Sequence, residues 1–212
     1  MLPVADLVDQ HCHGVLRTEL GLGTFEARLA TAATAGGQPA PGTTFFDTQT
    51  GFAVRRWCSP LLGLEPHCPP AGYLARRPEL GVLETGRRLL RATGVSTLLV
   101  DTGLPGDLTG PAEIAVASGA DARELVRLES LAEQVADTSG TVESFAPFGK
   151  LLFSSGAQGL PELHVVGARQ FREALGRVLG GWVADGAWSR SDATRVAAMI
   201  ASGNARRVYG LT

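Results

Sequence analysis

Near its N-terminus the chain reads Val4-Ala5-Asp6-Leu7-Val8-Asp9-Gln10-His11-Cys12-His13-Gly14. The apolar part of this stretch predicts a buried strand over residues 4–10, and a glycine ends the motif. Side chains two positions apart on a strand share a face, so His11 and His13 project together while Cys12 points the other way, into packing. Both histidines lie at the carboxyl end of the strand, where parallel α/β folds keep their chemistry. The motif therefore predicts a divalent metal site, with zinc as the expected ion.

Two further motifs lie in the second half of the chain. The first is Lys150-Leu151-Leu152-Phe153-Ser154-Ser155-Gly156-Ala157, followed by Gly159-Leu160-Pro161-Glu162-Leu163-His164, and the second is Asn204-Ala205-Arg206-Arg207-Val208-Tyr209-Gly210-Leu211. With residues 8–14, they resemble the amidohydrolase superfamily of metal-dependent hydrolases, in its amidohydrolase-related branch. In the order of the chain, they are similar to that branch's first strand, its last barrel strand with the helix after it, and its closing helix.

The resemblance implies an α/β fold derived from a (β/α)8 TIM barrel, in one amidohydrolase-like domain over residues 1–212. Residues 1–140 would form the N-terminal part of the barrel, with an insertion over residues 24–80, and residues 147–212 would hold the last strand and the C-terminal helices. Strands are predicted near residues 4–10, 96–101, 124–129 and 150–155. Because such a barrel typically takes about 250 residues and this chain has 212, we expect an incomplete, truncated fold with about half of the strands missing.

The resemblance also implies a hydrolase that cleaves an amide, ester or similar carbon–heteroatom bond of a small polar substrate, although the same branch contains decarboxylases and isomerases. In the family, the last strand carries an aspartate after Ser-Ser, which binds metal and accepts the proton of the attacking water. Here that position is Gly156, which can neither ligate nor accept a proton. The alternative is a catalytically inactive, truncated relative that serves as a binding or assembly module or arose by internal deletion.

Two polar residues at predicted strand ends are further candidates for the site. Asp101 follows the buried, β-branched run 95–100, as the two histidines follow theirs. It is a catalytic candidate that orients substrate or a ligand, or else it caps the following turn. His164 lies close after the last predicted strand. It is a candidate for substrate binding, with capping or packing as the alternative.

Arg127 and Glu129 depend on which element they occupy. On a strand over residues 124–129 they face one way, so that Glu129 is a catalytic candidate near the site and Arg127 a candidate for substrate binding. On one long helix from Asp121 they are surface charges. The resemblance places a strand here and favours the first arrangement.

Apolar periodicity and capping residues predict the remaining elements. Residues 43–72 are too apolar for a solvated linker and too interrupted for a regular element, so we expect an ordered excursion packed over the barrel mouth. A Gly180-Gly181 pair is expected to end or kink the helix that follows Pro161. Helices are predicted from Phe25 after a Thr24 cap, over residues 78–93, 113–118 and 130–137, after Pro161, and over residues 193–202 with Gly203 as the stop.

The composition and net charge of the chain limit the classes of partner it is expected to bind. The net charge of −2 and a pI near 6.1 give no basic footprint for nucleic acid or acidic lipid, so a small-molecule substrate is expected, without nucleic acid or membrane. The first residues lack the basic region of a signal peptide, and the chain has no apolar run of about 18 residues that could span a membrane. We therefore expect a cytoplasmic protein. Open sheet edges favour pairing with a second copy as a homo-oligomer.

The chain has three cysteines, Cys12, Cys58 and Cys68, without C-x-x-C spacing. An odd number without that spacing predicts reduced thiols, most simply in packing, rather than a disulfide framework or a zinc knuckle. His67 precedes Cys68 and the prolines after it. The pair is either a ligand pair or, as is commoner for a loop histidine, solvated or hydrogen-bonded.

Overall fold

The computed structural model describes residues 6–32, 39, 41–104, 106–125 and 148–211. Their fold is mixed α/β. Three parallel strands lie in the order β1-β2-β3, with β1 at Leu7–His13, β2 at Val95–Asp101 and β3 at Asp121–Leu125. The helices are α1 (Leu22–Ala32), α2 (Gln49–Trp57), α3 (Pro70–Leu80), α4 (Val82–Arg91), α5 (Pro111–Ser118), α6 (Pro161–Ala184), α7 (Arg190–Ala198) and α8 (Asn204–Tyr209).

The first two strands are buried on both faces. Consecutive residues such as Leu7 and Val8 are fully buried, as expected for a parallel sheet covered on both sides. On one face, Cys12 packs with Leu90 of α4 and Ile114 of α5. The predicted strands near 4–10 and 96–101 are therefore present, with β1 shifted towards the histidines.

A fourth extended segment runs along the other edge of β1. The backbone N–H of Gln10 donates to Phe153 O at 3.1 Å, and that of His13 donates to Ala157 O at 2.7 Å. The segment is not a regular strand, because side chains take part in its pairing: the Ser154 hydroxyl donates to His11 O at 2.7 Å, and Asp9 Oδ1 accepts from Ser155 N at 2.9 Å. The predicted strand over residues 150–155 thus becomes an irregular segment that still lies beside β1.

The helical region between β1 and β2 forms its own core against α6. Phe25, Phe46 and Tyr73 are fully buried in it, and Phe25 stacks on Phe46 with ring centroids 5.5 Å apart. Within this core, Arg77 and Tyr73 both donate to the buried carboxylate of Glu162 in the first turn of α6. Burying a charge demands this kind of pairing, and the network anchors the start of α6.

Several predicted helix boundaries are wrong. Residues 43–72 contain a regular helix, α2, because Thr48 caps it by accepting from Gly51 N at 3.1 Å. Gly51 also permits a close crossing, since a Cβ there would lie 2.4 Å from Phe46 Cα. The predicted helix over 78–93 is divided between α3 and α4 at Gly81, whose φ of 80° breaks the helix.

Three other helix predictions differ from the structure at their ends. α1 begins at Leu22, before the expected Thr24 cap. α6 continues without a break through Gly180-Gly181. Ser189 caps α7 by accepting from Asp192 N at 3.0 Å, and a π-helical turn over Met199–Gly203 carries the chain into α8 instead of stopping at Gly203.

Residues 121–129 are expected to form either a strand over 124–129 or one long helix from Asp121, and the structure bears on this choice. Asp121–Leu125 is β3, so a helix does not begin at Asp121. Residues 126–129 and the predicted helix over 130–137 lie outside the described residues. Within the described ranges the three strands form an open sheet without barrel closure. No helix in those ranges has both the length and the apolar character needed to cross a bilayer.

Candidate metal centre

Three side chains meet at the carboxyl ends of β1 and β2. His11 Nε2 lies 3.2 Å from Asp101 Oδ2, and His13 Nδ1 lies 3.1 Å from Asp101 O. The two imidazole centroids are 5.0 Å apart. This open cluster of His11, His13 and Asp101 offers three ligand atoms that all lie within 4.8 Å of one another. The parallel register brings the cluster about, because His13 is paired with Asp101 across the two strands.

The hydrogen bonds of the open cluster define the roles of the ring nitrogens. A carbonyl oxygen only accepts, so His13 Nδ1 donates to Asp101 O, and Nε2 is then the nitrogen whose lone pair suits a metal. A backbone carbonyl bound to the other ring nitrogen is a common means of orienting a histidine ligand. His11 Nε2 donates to the Asp101 carboxylate, so ligation through Nε2 requires that proton to leave.

Burial differs among the three residues. The His11 side chain is 38 % exposed, against 8 % for His13 and 1 % for Asp101. Asp101 Oδ1 accepts from Gly103 N at 2.8 Å, so Asp101 caps the turn after β2 and also contacts the histidines. The capping role considered for Asp101 is therefore observed, and the same conformation places its carboxylate against His11. Solvent reaches the open cluster from the side of His11.

The donor set fits a divalent ion. Ligand atoms around a tetrahedral zinc ion lie roughly 3.3–3.7 Å apart, and the His11 Nε2 to Asp101 Oδ2 distance of 3.2 Å is close to this spacing. Two histidines and one carboxylate also occur as a three-ligand set in catalytic zinc and iron sites that keep open positions. The arrangement is compatible with a metal centre accessible to water.

Gly156 adjoins the open cluster through the backbone. Its N–H donates to His11 O at 3.1 Å, its φ is 58°, and a Cβ built on it would meet no atom within 4 Å. The carboxylate that the resemblance leads one to expect at this position is absent. Asp101 instead brings a carboxylate to the histidines from the neighbouring strand.

A second group lies between β1 and α6. This buried cluster consists of Asp9, Cys12 and His164, whose possible ligand atoms also lie within 4.8 Å of one another. All three residues are at most 1 % exposed. Asp9 Oδ1 accepts from Ser155 N at 2.9 Å and from His11 N at 3.4 Å, and Cys12 Sγ donates to Leu99 O at 3.6 Å.

Burial shifts the protonation of this cluster towards the neutral forms. It raises the pKa of Asp9 to about 6 against the opposing hydrogen bonds from Ser155, and it lowers the pKa of His164 to about 4. Burial, together with the negative charges of Asp9 and Asp101, raises the pKa of the Cys12 thiol. Neither ring nitrogen of His164 has a partner with normal hydrogen-bond geometry among the described residues. The backbone of His13 favours the charged form of His164, but too weakly to offset burial.

An irregularity in β1 separates the two clusters. Asp9 and His11 are two residues apart and would share a face on a regular strand. The register against β2 shifts between Asp9 and Cys12, and such a bulge redirects side chains. Asp9 consequently joins Cys12 beside α6, whereas His11 joins His13 at the open end.

None of the other candidate residues that the structure describes joins the open cluster. His164 lies in the buried cluster instead of contacting a substrate at the strand ends, and Arg127 and Glu129 lie outside the described residues. His67, with a φ of 62°, lines a cavity of about 600 Å³ beside Trp57. Cys68 Sγ lies 3.3 Å from Ser59 Oγ, and neither His67 nor Cys68 belongs to a metal-compatible group among the described residues.

Sequence reasoning missed Asp9 and Cys12 as site residues. The available signal was an acidic residue within an apolar strand, because a buried carboxylate needs partners.

Comparison with known proteins adds no family: searches against protein-family models, curated proteins and solved structures each found no match.

Proposed function

We propose that this chain binds one zinc or similar divalent ion through His11, His13 and Asp101, as a metal-dependent hydrolase of small polar substrates. The observation that carries the proposal is the Asp101 carboxylate placed against both histidines. The hydrolytic activity rests on the resemblance to the amidohydrolase superfamily, and the sheet would be a shortened remnant of that family's barrel. A divalent ion held there would supply Lewis acidity and make water a nucleophile near neutral pH.

The residues around the open cluster support this activity in distinct ways. The backbone carbonyl of Asp101 orients the His13 ring, and the hydrogen bond from Gly103 N fixes the Asp101 carboxylate. Fixed ligands favour catalysis because they need not reorganise during the reaction. The partly exposed His11 leaves one side of the cluster open to water and to a small substrate.

A second candidate function is metal binding without catalysis, in an inactive relative that acts as a binding or assembly module. Gly156 favours it, since the proton acceptor expected at this position is absent. Asp101 is a poor replacement, because Oδ2 faces His11 and Oδ1 already accepts from Gly103 N. A carboxylate that ligates the ion in this way is badly placed to accept a proton as well. Decarboxylation, which the same branch also performs, is a further alternative.

The test is to load the full chain with zinc and assay a panel of simple amides, esters and carboxylic acids. Hydrolysis is expected to require the metal, to be abolished by His13→Asn and to persist in His67→Asn, which changes a histidine outside the cluster. Metal binding that depends on His13 without turnover would favour the inactive relative. Decarboxylation of the acids alone would favour the decarboxylase, and failure to bind metal would contradict all three functions.

A further inference from the structure

His164 is an exception to the usual pairing of buried polar groups. It lies in the first turns of α6, is 1 % exposed, and both of its ring nitrogens lack hydrogen-bond partners among the described residues. Buried polar atoms in native proteins are nearly always paired, so an unpaired imidazole requires an explanation such as an ion or an ordered water. The open cluster does not provide one, because His164 is not part of it.

The neighbours of His164 are the other two residues of the buried cluster. Asp9 and Cys12 approach it from β1, with all three possible ligand atoms within 4.8 Å of one another. Hydrogen bonds from Ser155 N and His11 N to Asp9 Oδ1 orient that carboxylate, as outer hydrogen bonds orient metal ligands in known sites. A sulfur, an imidazole nitrogen and a carboxylate oxygen thus converge in a space closed to solvent.

We propose that Asp9, Cys12 and His164 form a second metal site, which holds a zinc-type ion through a thiolate, an imidazole and a carboxylate. Thiolate and imidazole ligands select zinc and similar borderline ions, whereas magnesium and calcium prefer oxygen ligands alone. Binding replaces the Cys12 thiol proton, which is released to solvent, by a sulfur–metal bond. This site does not depend on the function proposed for the open cluster.

The buried site is structural in character. Its ligands come from β1 and from the fourth residue of α6, so one ion would join β1 to the long helix. No ligand in it is more than 1 % exposed, which leaves no approach for a substrate. Structural zinc sites are closed in this way, whereas catalytic sites keep an open position.

Cobalt provides the test, because it replaces zinc and a cobalt–thiolate bond produces a charge-transfer absorption that nitrogen and oxygen ligands do not. The full chain is stripped of metal under reducing conditions and titrated with Co²⁺. The expected result is a thiolate charge-transfer band that saturates at one ion per chain, whether or not the open cluster binds a further ion. The open cluster lacks sulfur and cannot produce this band.

Matched variants identify the sulfur. Cys68→Ser removes a partly buried thiol outside the cluster and should keep the band. Cys12→Ser should abolish the band and reduce the cobalt bound by one ion per chain. A second variant covers the case in which Cys12→Ser does not fold. The double variant Cys58→Ala/Cys68→Ser keeps Cys12 as the only one of the chain's three cysteines, and its thiolate band should persist. His164→Asn should weaken cobalt binding at the thiolate site by at least about tenfold.

Three results would overturn the proposal of a second metal site. A wild-type protein that binds cobalt without a thiolate band would overturn the proposal and leave a buried water as the partner of His164. A band that survives in folded Cys12→Ser, or that disappears in the Cys58→Ala/Cys68→Ser variant while the protein stays folded, would assign the sulfur to another cysteine and overturn it as well.

Discussion

The open cluster takes His11 and His13 from β1, and the buried cluster takes Asp9 and Cys12 from the same strand. The surroundings of the two clusters differ. At the open cluster, Asp101 is hydrogen-bonded to both histidines and one imidazole is partly exposed. At the buried cluster, the His164 nitrogens find no hydrogen-bond partner in the described part of the chain, and every side chain is enclosed. Solvent access therefore suits similar sets of residues to different roles. An open group suits exchange and reaction, and a closed group suits holding elements together.

The largest expected effect concerns Asp9, the residue that connects β1 to the segment beside it. In metal-free protein, Asp9→Ala should lower the free energy of unfolding by about 1–3 kcal/mol, because it leaves the partly buried N–H of Ser155 without its acceptor. Asp9→Asn keeps an acceptor oxygen and should cost less than about 1 kcal/mol. Urea unfolding measures both. Equal losses in the two variants would show that the hydrogen bond is unimportant.

Gly156→Asp would make the open cluster resemble the family's site more closely. A second carboxylate, as the fourth ligand beside His11, His13 and Asp101, should tighten zinc binding by about tenfold, which is about 1.4 kcal/mol. The positive φ of Gly156 strains any other residue, although aspartate tolerates this region better than most. Gly156→Ala is the control, since it carries the backbone strain without the carboxylate. Hydrolysis of simple amides and esters need not appear, because substrate positioning is a separate contribution. Calorimetry showing equal affinity for both variants would place the new carboxylate away from the ion.

His164→Leu distinguishes the buried cluster in metal-free protein. The described residues offer this buried imidazole no hydrogen-bond partner, so an apolar group of similar size should leave stability unchanged or raise it by about 1 kcal/mol. The matching change in the open cluster, His13→Leu, removes a hydrogen-bonded ring and should be destabilising. Thermal unfolding with chelator present compares the two. A marked loss of stability in His164→Leu would mean that the imidazole has a partner after all.

The smallest effect comes from an exposed carboxylate that contrasts with Asp9. Hydrogen bonds from Arg17 hold the pKa of Glu113 down to about 2, whereas burial raises that of Asp9 to about 6. A lowered pKa stabilises the fold above pH 4.5, and this contribution is lost as the pH falls from 4.5 towards 2. Solvent screening keeps it small, so Glu113→Gln should cost under about 1 kcal/mol at pH 7 and nothing once the pH is well below 2. A loss independent of pH would argue against the ion pair.

Local patterns were sufficient for part of the fold and of the site. The apolar runs identified β1 and β2, and alternation along a strand brought His11 and His13 together. The role of Asp101 could not be chosen from the sequence, because it depends on which strand lies beside β1. The helix α6 continues through Gly180-Gly181 because tertiary packing outweighs the helix penalty of glycine.

The buried cluster could not be derived from the same patterns. Strict alternation would have placed Asp9 with His11, and the bulge that separates them depends on pairing between strands. His164 lies far along the chain from β1, and its position follows from the docking of α6, which Glu162 and Arg77 help to anchor. Long-range packing of this kind leaves no periodic signal.

The most direct test of the metal centre is a calorimetric zinc titration of the wild type, Asp101→Asn and Asp107→Asn. Asp107 is an exposed aspartate paired with Arg17, so its variant controls for the loss of one carboxylate. We predict that Asp101→Asn weakens zinc binding at the open cluster by at least about a hundredfold, since changes to residues that only orient ligands already cost about 10- to 100-fold. Asp107→Asn should bind as the wild type does. Equal zinc affinity in the wild type and Asp101→Asn would contradict the assignment of Asp101 as the third ligand.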